Sequence, residues 1–210
     1  MNKYHKIQTI YKRDPATKNK TLLKEFALPE FAYLASNTWV WTEKVDGTNI
    51  RVDWDSERVR FGGRTDNAQI PASLVDRLND LFLPHTIREL PPMTFYGEGY
   101  GVKIQKGGEN YKADGVDFVL FDILCNGWWL ERENVQEIAS KISLRVVPVI
   151  GTGTLTQLTE TVKRGFGSVW GDFPAEGIVA RPTTELCNRA GHRIITKLKT
   201  KDFAGRMAKK

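Results

Sequence analysis

The sequence predicts an α+β fold, and three observations carry that prediction. Runs rich in Val, Ile, Thr, Trp and Phe recur at 38–45, 48–54, 57–61, 93–97, 116–124, 144–150, 176–181 and 194–203. Segments 71–83, 133–142 and 155–166 instead read as helices, the first with apolar residues at helical spacing and Pro at its start. The two kinds of segment do not alternate as βαβ units, so a doubly wound parallel sheet is not expected.

Residues 1–36 mix basic and aromatic residues with Pro15 and Pro29. Asp14 to Lys20 reads as a turn or exposed loop, and Thr21–Phe31 as a short irregular or helical approach to a hairpin. Tyr4, Lys6, Lys12 and Arg13 are of a kind to touch a phosphate backbone. The stretch 37–54, NTWVWTEKVDGTNIRVDW, reads as that β-hairpin, because Asp46-Gly47 is a favoured two-residue turn pair. The turn pairs Val45 with Thr48, Lys44 with Asn49 and Thr42 with Arg51, giving one face a Lys, an Asn and an Arg. Such a face is either solvated or functional.

A strand at Glu57–Phe61 then leads into Gly62-Gly63-Arg64, where an arginine follows a tight bend. Pro71–Leu83 is a packing helix. Met93–Gly97 is a strand entering a glycine-dense loop, Gly97-Glu98-Gly99-Tyr100-Gly101, that carries Lys103 and Lys106 beyond it. Its spacing is not that of a dinucleotide fingerprint. Val116–Leu124 is a central strand whose Asp122 must meet a cation or a donor if buried. Gly127–Leu130 extends it as a hairpin, Glu133–Ile142 is helical, Leu144–Ile150 is β-rich and Leu155–Phe166 is an amphipathic helix. Near the end come a strand with charged ends, Glu176–Arg181, and a strand from Ile194 that places Lys197 and Lys199 on one face. Two adjacent ammonium groups repel, so the pair is either tolerated by solvent or held for a purpose.

Composition bounds the function. The 210 residues are 40% hydrophobic with six Trp and ten Phe, enough for one packed domain, here 1–36 packing onto 37–210. No apolar run is long enough to cross a bilayer, and the N-terminus lacks the apolar core of a secretory signal. The expected compartment is therefore the cytoplasm, and no membrane partner is expected. Cys125 and Cys187 do not form a disulfide framework or a zinc site. A net charge of +6 gives weak support for a polyanionic partner.

Lys44-Val-Asp46-Gly47-Thr-Asn49, Arg64, Gly97-Glu98, Phe121-Asp122-Ile123, Glu176-Gly177 and Lys197-Leu-Lys199 occur in an order that resembles the covalent nucleotidyltransferase superfamily of polynucleotide ligases and capping enzymes. The resemblance covers roughly residues 40–200. Asn49 stands where DNA ligases and capping enzymes carry arginine, so the chain looks most like the RNA ligase 2-type branch, which includes phage enzymes that seal nicks in duplex RNA. The resemblance implies an ATP-grasp-like nucleotidyltransferase domain of antiparallel β-sheets flanked by helices, without a C-terminal oligonucleotide-binding domain. It implies a monomeric enzyme, working in the host cytoplasm if phage-encoded, on nucleic acid with 5′-phosphate and 3′-hydroxyl ends, with RNA favoured. The alternatives are a DNA ligase, a capping-type guanylyltransferase, which Asn49 disfavours, and a catalytically idle module that binds nucleic-acid ends.

The same resemblance implies residue roles. Lys44 is the nucleophile that takes AMP from ATP, and Lys197 and Lys199 disfavour its protonation and balance phosphate charge. Magnesium or manganese accompanies the nucleotide, with Glu98 and Glu176 as candidate carboxylates for metal or ribose. Glu43, Asn49, Arg64, Glu98, Phe121 and Glu176 join the lysines around the nucleotide, Phe121 by stacking on adenine unless it is simply a core residue. Asn49, Arg51, Lys103, Lys106 and Arg181 are candidates for nucleic-acid contacts. His5, His85 and His192 receive no role.

Overall fold

The computed structural model describes residues 2–203, so Met1 and 204–210, the two ends of the expected domain, lie outside the described residues. Its elements run β1 (Gln8–Thr9), β2 (Tyr11–Arg13), β3 (Leu22–Phe26), α1 (Pro29–Tyr33), β4 (Trp39–Glu43), β5 (Thr48–Trp54), β6 (Val59–Gly62), α2 (Ala72–Leu81) and α3 (Pro84–Ile87). They continue β7 (Met93–Gly101), β8 (Val116–Cys125), β9 (Trp128–Trp129), α4 (Arg132–Lys141), β10 (Val149–Gly153), α5 (Leu155–Arg164), β11 (Gly177–Pro182) and β12 (Thr196–Lys199). This is the α+β architecture that the sequence predicts.

Backbone contacts divide the chain into two compact units. The first gathers Val45–Val147 and the residues up to His5; the second gathers Lys6–Lys44 and the chain from Pro148 onward. Among the described residues, no helix is long and apolar enough to cross a membrane.

The first unit is built on an antiparallel sheet in the order β6-β5-β7-β8-β9. Alternation along its strands sends Ile50, Val52, Phe95, Phe118, Leu120 and Ile123 to one face, where Leu74 and Leu78 of α2 and Val135 and Ala139 of α4 cover them. Leu74 and Leu78 are fully buried, one turn apart on α2, and each contributes about 1.5–3 kcal/mol through burial. The opposite face carries Asn49, Glu98, Phe121 and Asp122. It is crossed by the N-terminal residues: Tyr96 donates to the Asn2 carbonyl (3.0 Å), Lys3 pairs with Asp66 (3.1 Å), and the Tyr4 hydroxyl donates to Asp122. That hydroxyl is the donor that buried Asp122 requires.

The second unit carries the sheet order β1-β12-β11-β4-β10, antiparallel except for the parallel pair β1 and β12, together with the small β2–β3 ribbon. Trp39, Ile178, Leu198, Leu155, Leu158 and Val162 form the heart of its core. Helix α5 opens with a capping box, in which the Thr154 hydroxyl accepts from the Gln157 N–H (3.2 Å) while Gln157 Oε1 accepts from the Thr154 N–H (2.9 Å).

Four local expectations fail. The predicted hairpin does not form, because β4 pairs with β11 and β10 while β5 pairs with β6 and β7. Lys44 therefore does not face Asn49; its N–H bonds the Gly177 carbonyl at 2.9 Å. Neither Asp46 nor Gly47 has the positive φ that the turn demands, and the chain passes instead from the second unit to the first at Lys44–Val45. The glycine-dense stretch 97–101 is strand, not loop. A Cβ at Gly97 would lie 2.2 Å from the Phe118 ring, so the glycine admits a packed aromatic rather than a bend. Finally, most of 21–26 is strand β3 rather than a helical approach, and the run at 144–150 supplies only the start of β10 and a lone bridge from Val146 to Leu120.

Candidate active site

In the second unit the chemistry-bearing residues meet at the ends of three neighbouring strands. Strand β11 lies between β4 and β12, with Ile178 opposite Glu43 and Gly177 opposite Lys199. Glu176, immediately before β11, is thereby set between Lys44 at the end of β4 and Lys199 at the end of β12. Its two carboxylate oxygens are divided between them: Lys44 Nζ donates to Oε2 and Lys199 Nζ to Oε1, each at 2.6 Å. All three side chains are largely shielded from solvent, with 19%, 11% and 22% of Lys44, Glu176 and Lys199 exposed. The two oxygens thus hold two ammonium groups by charge-assisted hydrogen bonds, which are about twice as strong as neutral ones.

The backbone requires glycine beside this carboxylate. A Cβ at Gly177 would stand 2.2 Å from the Leu198 carbonyl, so only glycine lets β11 approach β12 closely enough to bring Glu176 to both lysines. Lys197 shares a strand face with Lys199, while Thr196 and Leu198 point the other way into the core. Asp202 fixes the turn after β12 by accepting from the Lys199 N–H (3.1 Å), and Arg13 pairs with Asp202 at 2.9 Å. The sequence signal for this device was the Lys-x-x-Asp spacing at 199–202, an acidic residue at the third position of a helical turn.

Glu43 is almost wholly buried and ties down the 168–170 loop, accepting from the Ser168 hydroxyl (2.5 Å) and the Val169 N–H (2.9 Å). Nothing in the local sequence joins Glu43 to a loop 125 residues away.

In the first unit, Asn49 lies directly opposite Glu98 across β5 and β7, which puts the two side chains on one face of the sheet. The Asn49 Oδ1 atom is buried and without a hydrogen-bond partner. Phe121 sits on the same face at a β-bulge: Gly97 pairs with Leu120 and Tyr96 with Asp122, leaving Phe121 as the extra residue. The bulge turns Phe121 and Asp122 to the same side, and the Tyr4 ring meets Phe121 edge-on at 5.0 Å. Arg64 is exposed in the bend after β6, and Lys103 and Lys106 are exposed beyond β7.

Two expected nucleic-acid contacts are instead buried structural residues. Arg51 is fully buried, donating from Nε to the Gly63 carbonyl (2.7 Å) and from Nη2 to Asp66 (3.0 Å), so it holds the bend that carries Arg64. Arg181 is 7% exposed and pairs with Glu185 at 3.0 Å; Arg193 binds the same carboxylate. A charged residue in a strand reads as surface when its partner is remote or its burial is unknown, and both arginines misled in that way.

The described residues contain no cluster of three His, Cys, Asp or Glu able to hold a metal ion. Glu176 has both oxygens on lysines. A divalent ion would arrive as the counterion of a nucleotide, bound chiefly by phosphate oxygens and water, as magnesium commonly is.

Comparison with known proteins bears on this arrangement. Several solved structures of a Naegleria gruberi RNA ligase are similar to this chain. One with pyrophosphate matches at a TM-score of 0.71 and 17% identity over 100% of this chain and 59% of that one. A mutant with AMP and Mn matches at 0.72 and 16%, covering 98% and 58%, and a mutant with ATP and Mn at 0.68 and 18%, covering 85% and 54%. The chain thus spans little more than half the length of these proteins, and at such identities the likeness is one of fold. No curated protein matches. A family model, RNA ligase, matches residues 37–199, which hold Lys44, Glu98, Glu176 and both lysines of the pair. The chain belongs to the RNA ligase family.

Proposed function

We propose that the protein is an ATP-dependent RNA ligase of the RNA ligase 2 type, which joins a 5′-phosphate to a 3′-hydroxyl at nicks in duplexes. The observation that carries the proposal is the Lys44–Glu176–Lys199 bridge at the ends of β4, β11 and β12. It puts an amine nucleophile and a second cation each within hydrogen-bond reach of one carboxylate in a chain of this family.

The chemistry runs in three displacements. The Lys44 amine, having lost a proton, attacks the α-phosphorus of ATP; a P–N bond forms, the bond to the bridging oxygen breaks and pyrophosphate leaves. An oxygen of the RNA 5′-phosphate then attacks that phosphorus, forming a P–O bond and releasing Lys44, which takes up a proton. Last, the 3′-hydroxyl attacks the 5′-phosphate, losing its proton as the phosphodiester forms and AMP departs. Glu176 steers the Lys44 amine, and Lys199 turns its charge from Glu176 to the phosphates, with Lys197 beside it. Electrostatic stabilisation of this kind is the main contribution a protein makes to phosphoryl-type transfers. Asn49, Arg64 and Glu98 take the nucleotide's polar groups and Phe121 its base. The orphaned Asn49 oxygen favours this reading, because a buried acceptor without a partner costs about 1–3 kcal/mol, which a ligand hydroxyl would relieve. Glu43 acts indirectly, by holding the 168–170 loop. Lys103 and Lys106 are exposed and suited to the nucleic-acid backbone.

The test incubates the protein with a magnesium salt and α-labelled ATP or GTP, then offers nicked all-RNA, all-DNA and hybrid duplexes. The proposal expects covalent label from ATP and preferential sealing of RNA-containing nicks. Equal sealing of all-DNA nicks would replace it with a DNA ligase, label from GTP alone with a guanylyltransferase, and no label from either with an idle end-binding module.

A further inference from the structure

Away from the lysine bridge, the second unit has a cavity of about 450 Å³ between the β2–β3 ribbon, α5 and the turn after β12. The volume lies in the range of small-molecule sites and is large enough for one nucleotide unit. Four lysines ring it: Lys20 and Lys24 from the ribbon, Lys163 from α5 and Lys201 from the terminal turn. All four are exposed. Its floor is apolar and aromatic, formed by Leu22 and Phe203, both buried, and half-buried Tyr11, whose hydroxyl is tied to Thr159 at 3.2 Å.

The acidic groups present do not cancel this charge. Asp202 is committed to Arg13 and to the Lys199 N–H, and Glu160 reaches only Lys163, at 3.4 Å. Among the described residues no ion pair engages Lys20, Lys24 or Lys201. Three unpaired ammonium groups around an apolar floor are costly as a solvated face only through mutual repulsion, but they are complementary to an anion that also carries a sugar or base.

We propose that this cavity is a second nucleic-acid site, which takes a sugar-phosphate unit of the RNA substrate away from the joining centre: Lys20, Lys24 and Lys201 contact phosphates, and the Tyr11–Leu22–Phe203 floor receives the sugar or base. The proposal rests on the RNA ligase reading for its ligand. The cavity is also tied to the joining centre through the chain itself, since Asp202, on its wall, caps the turn that begins at Lys199. A strand held there is anchored beside the lysine pair.

The test measures binding of a fluorescent nicked RNA duplex by anisotropy across a salt series, for the wild-type chain and for Lys20→Gln/Lys24→Gln/Lys201→Gln. Each lost phosphate contact lowers the log–log salt slope by about 0.7–0.9, so the triple variant should lose about 2 from the slope and bind about tenfold or more weakly at low salt. Covalent labelling by ATP is measured in parallel and should be unchanged. A control, Arg58→Gln/Arg88→Gln/Lys141→Gln, removes the same charge at exposed positions outside the cavity. An equal loss in the control, or wild-type affinity and slope in the triple variant, would overturn the proposal. So would displacement of the RNA from the wild-type chain by millimolar AMP to the same extent as the triple substitution achieves, since the cavity would then be a free-nucleotide site. Circular dichroism checks the fold, and Leu23→Glu, which adds a negative charge at a half-exposed lining position, should weaken RNA binding independently of the lysines. If ATP labelling fails while the lysine-dependent RNA binding persists, the ligase reading falls and the cavity stands; the opposite pattern removes the cavity alone.

Discussion

Replacing Lys199 with Met separates a catalytic purpose for the lysine pair from a merely tolerated one. The substitution keeps most of the length of the side chain and removes one of the two ammonium groups on Glu176. Deleting a hydrogen bond to a charged group ordinarily costs about 1.5–3 kcal/mol. Here the cost is smaller: Glu176 keeps its bond to Lys44, so no carboxylate is orphaned, and Lys199 is 22% exposed, so solvent already screens part of the attraction. About 1 kcal/mol remains, which for a chain of this size lowers Tm by about 2–4 °C. Activity should fall far more, because the charge that meets the triphosphate is gone; removal of one such electrostatic contact typically costs about 10²–10³ in rate. The assay is single-turnover transfer of labelled AMP to protein, followed alongside a urea melt. A folded Lys199→Met chain that labels at the wild-type rate would refute the assigned role. A loss of labelling that only tracks unfolding would refute it equally.

The same geometry sets further outcomes. Arg51→Ala should destabilise the chain by about 2–4 kcal/mol in urea, since it strips a fully buried side chain and leaves the Gly63 carbonyl without its donor, whereas Asp66→Asn, at the exposed end of the same contact, should leave the urea midpoint close to that of the wild-type chain. RNA affinity of the folded Arg51→Ala chain should stay unchanged, and a selective loss of RNA binding would restore Arg51 to the nucleic-acid contacts. Burial pushes the Tyr96 hydroxyl up to about 12, above the usual value near 10. The folded state therefore keeps this proton longer than the unfolded one, and the contribution is fully present below pH 10 and lost as pH rises through about 12. Alkaline unfolding should shift to higher pH in Tyr96→Phe, and ultraviolet titration of that variant should lose one tyrosine step from the range above the ordinary value.

Local chemistry was legible wherever it is decided by neighbours in sequence. Helices α2 and α5 follow from apolar spacing, with a proline at the start of the first. Strand β8 follows from its apolar run, and the shared face of Lys197 and Lys199 from the two-residue period of a strand. Partners far along the chain were not legible. Asp46-Gly47 is a strong hairpin signal, yet β4 finds its partner in β11, about 135 residues away, and the ladder it makes there outweighs a favourable turn. Glu176 could be named as a functional carboxylate but not as the bridge between Lys44 and Lys199, because that depends on β11 lying between β4 and β12. Glycine misled at 97–101 for a related reason: lack of a side chain signals either a bend or a close neighbour, and only the position of Phe118 decides between them. The buried arginines, Arg51 and Arg181, each rely on a partner in a loop whose position the pattern of the strand does not disclose.

Covalent bonding of AMP to Lys44 is open to peptide mapping. The protein is incubated with ATP and magnesium, quenched without substrate RNA, digested and analysed by mass spectrometry under conditions that preserve a phosphoramidate. AMP is expected on the peptide that contains Lys44 and on no other, with the adduct absent from Lys44→Ala and discharged from the wild-type chain when nicked RNA is added. AMP on a different lysine, or an intact adduct in Lys44→Ala, would contradict it.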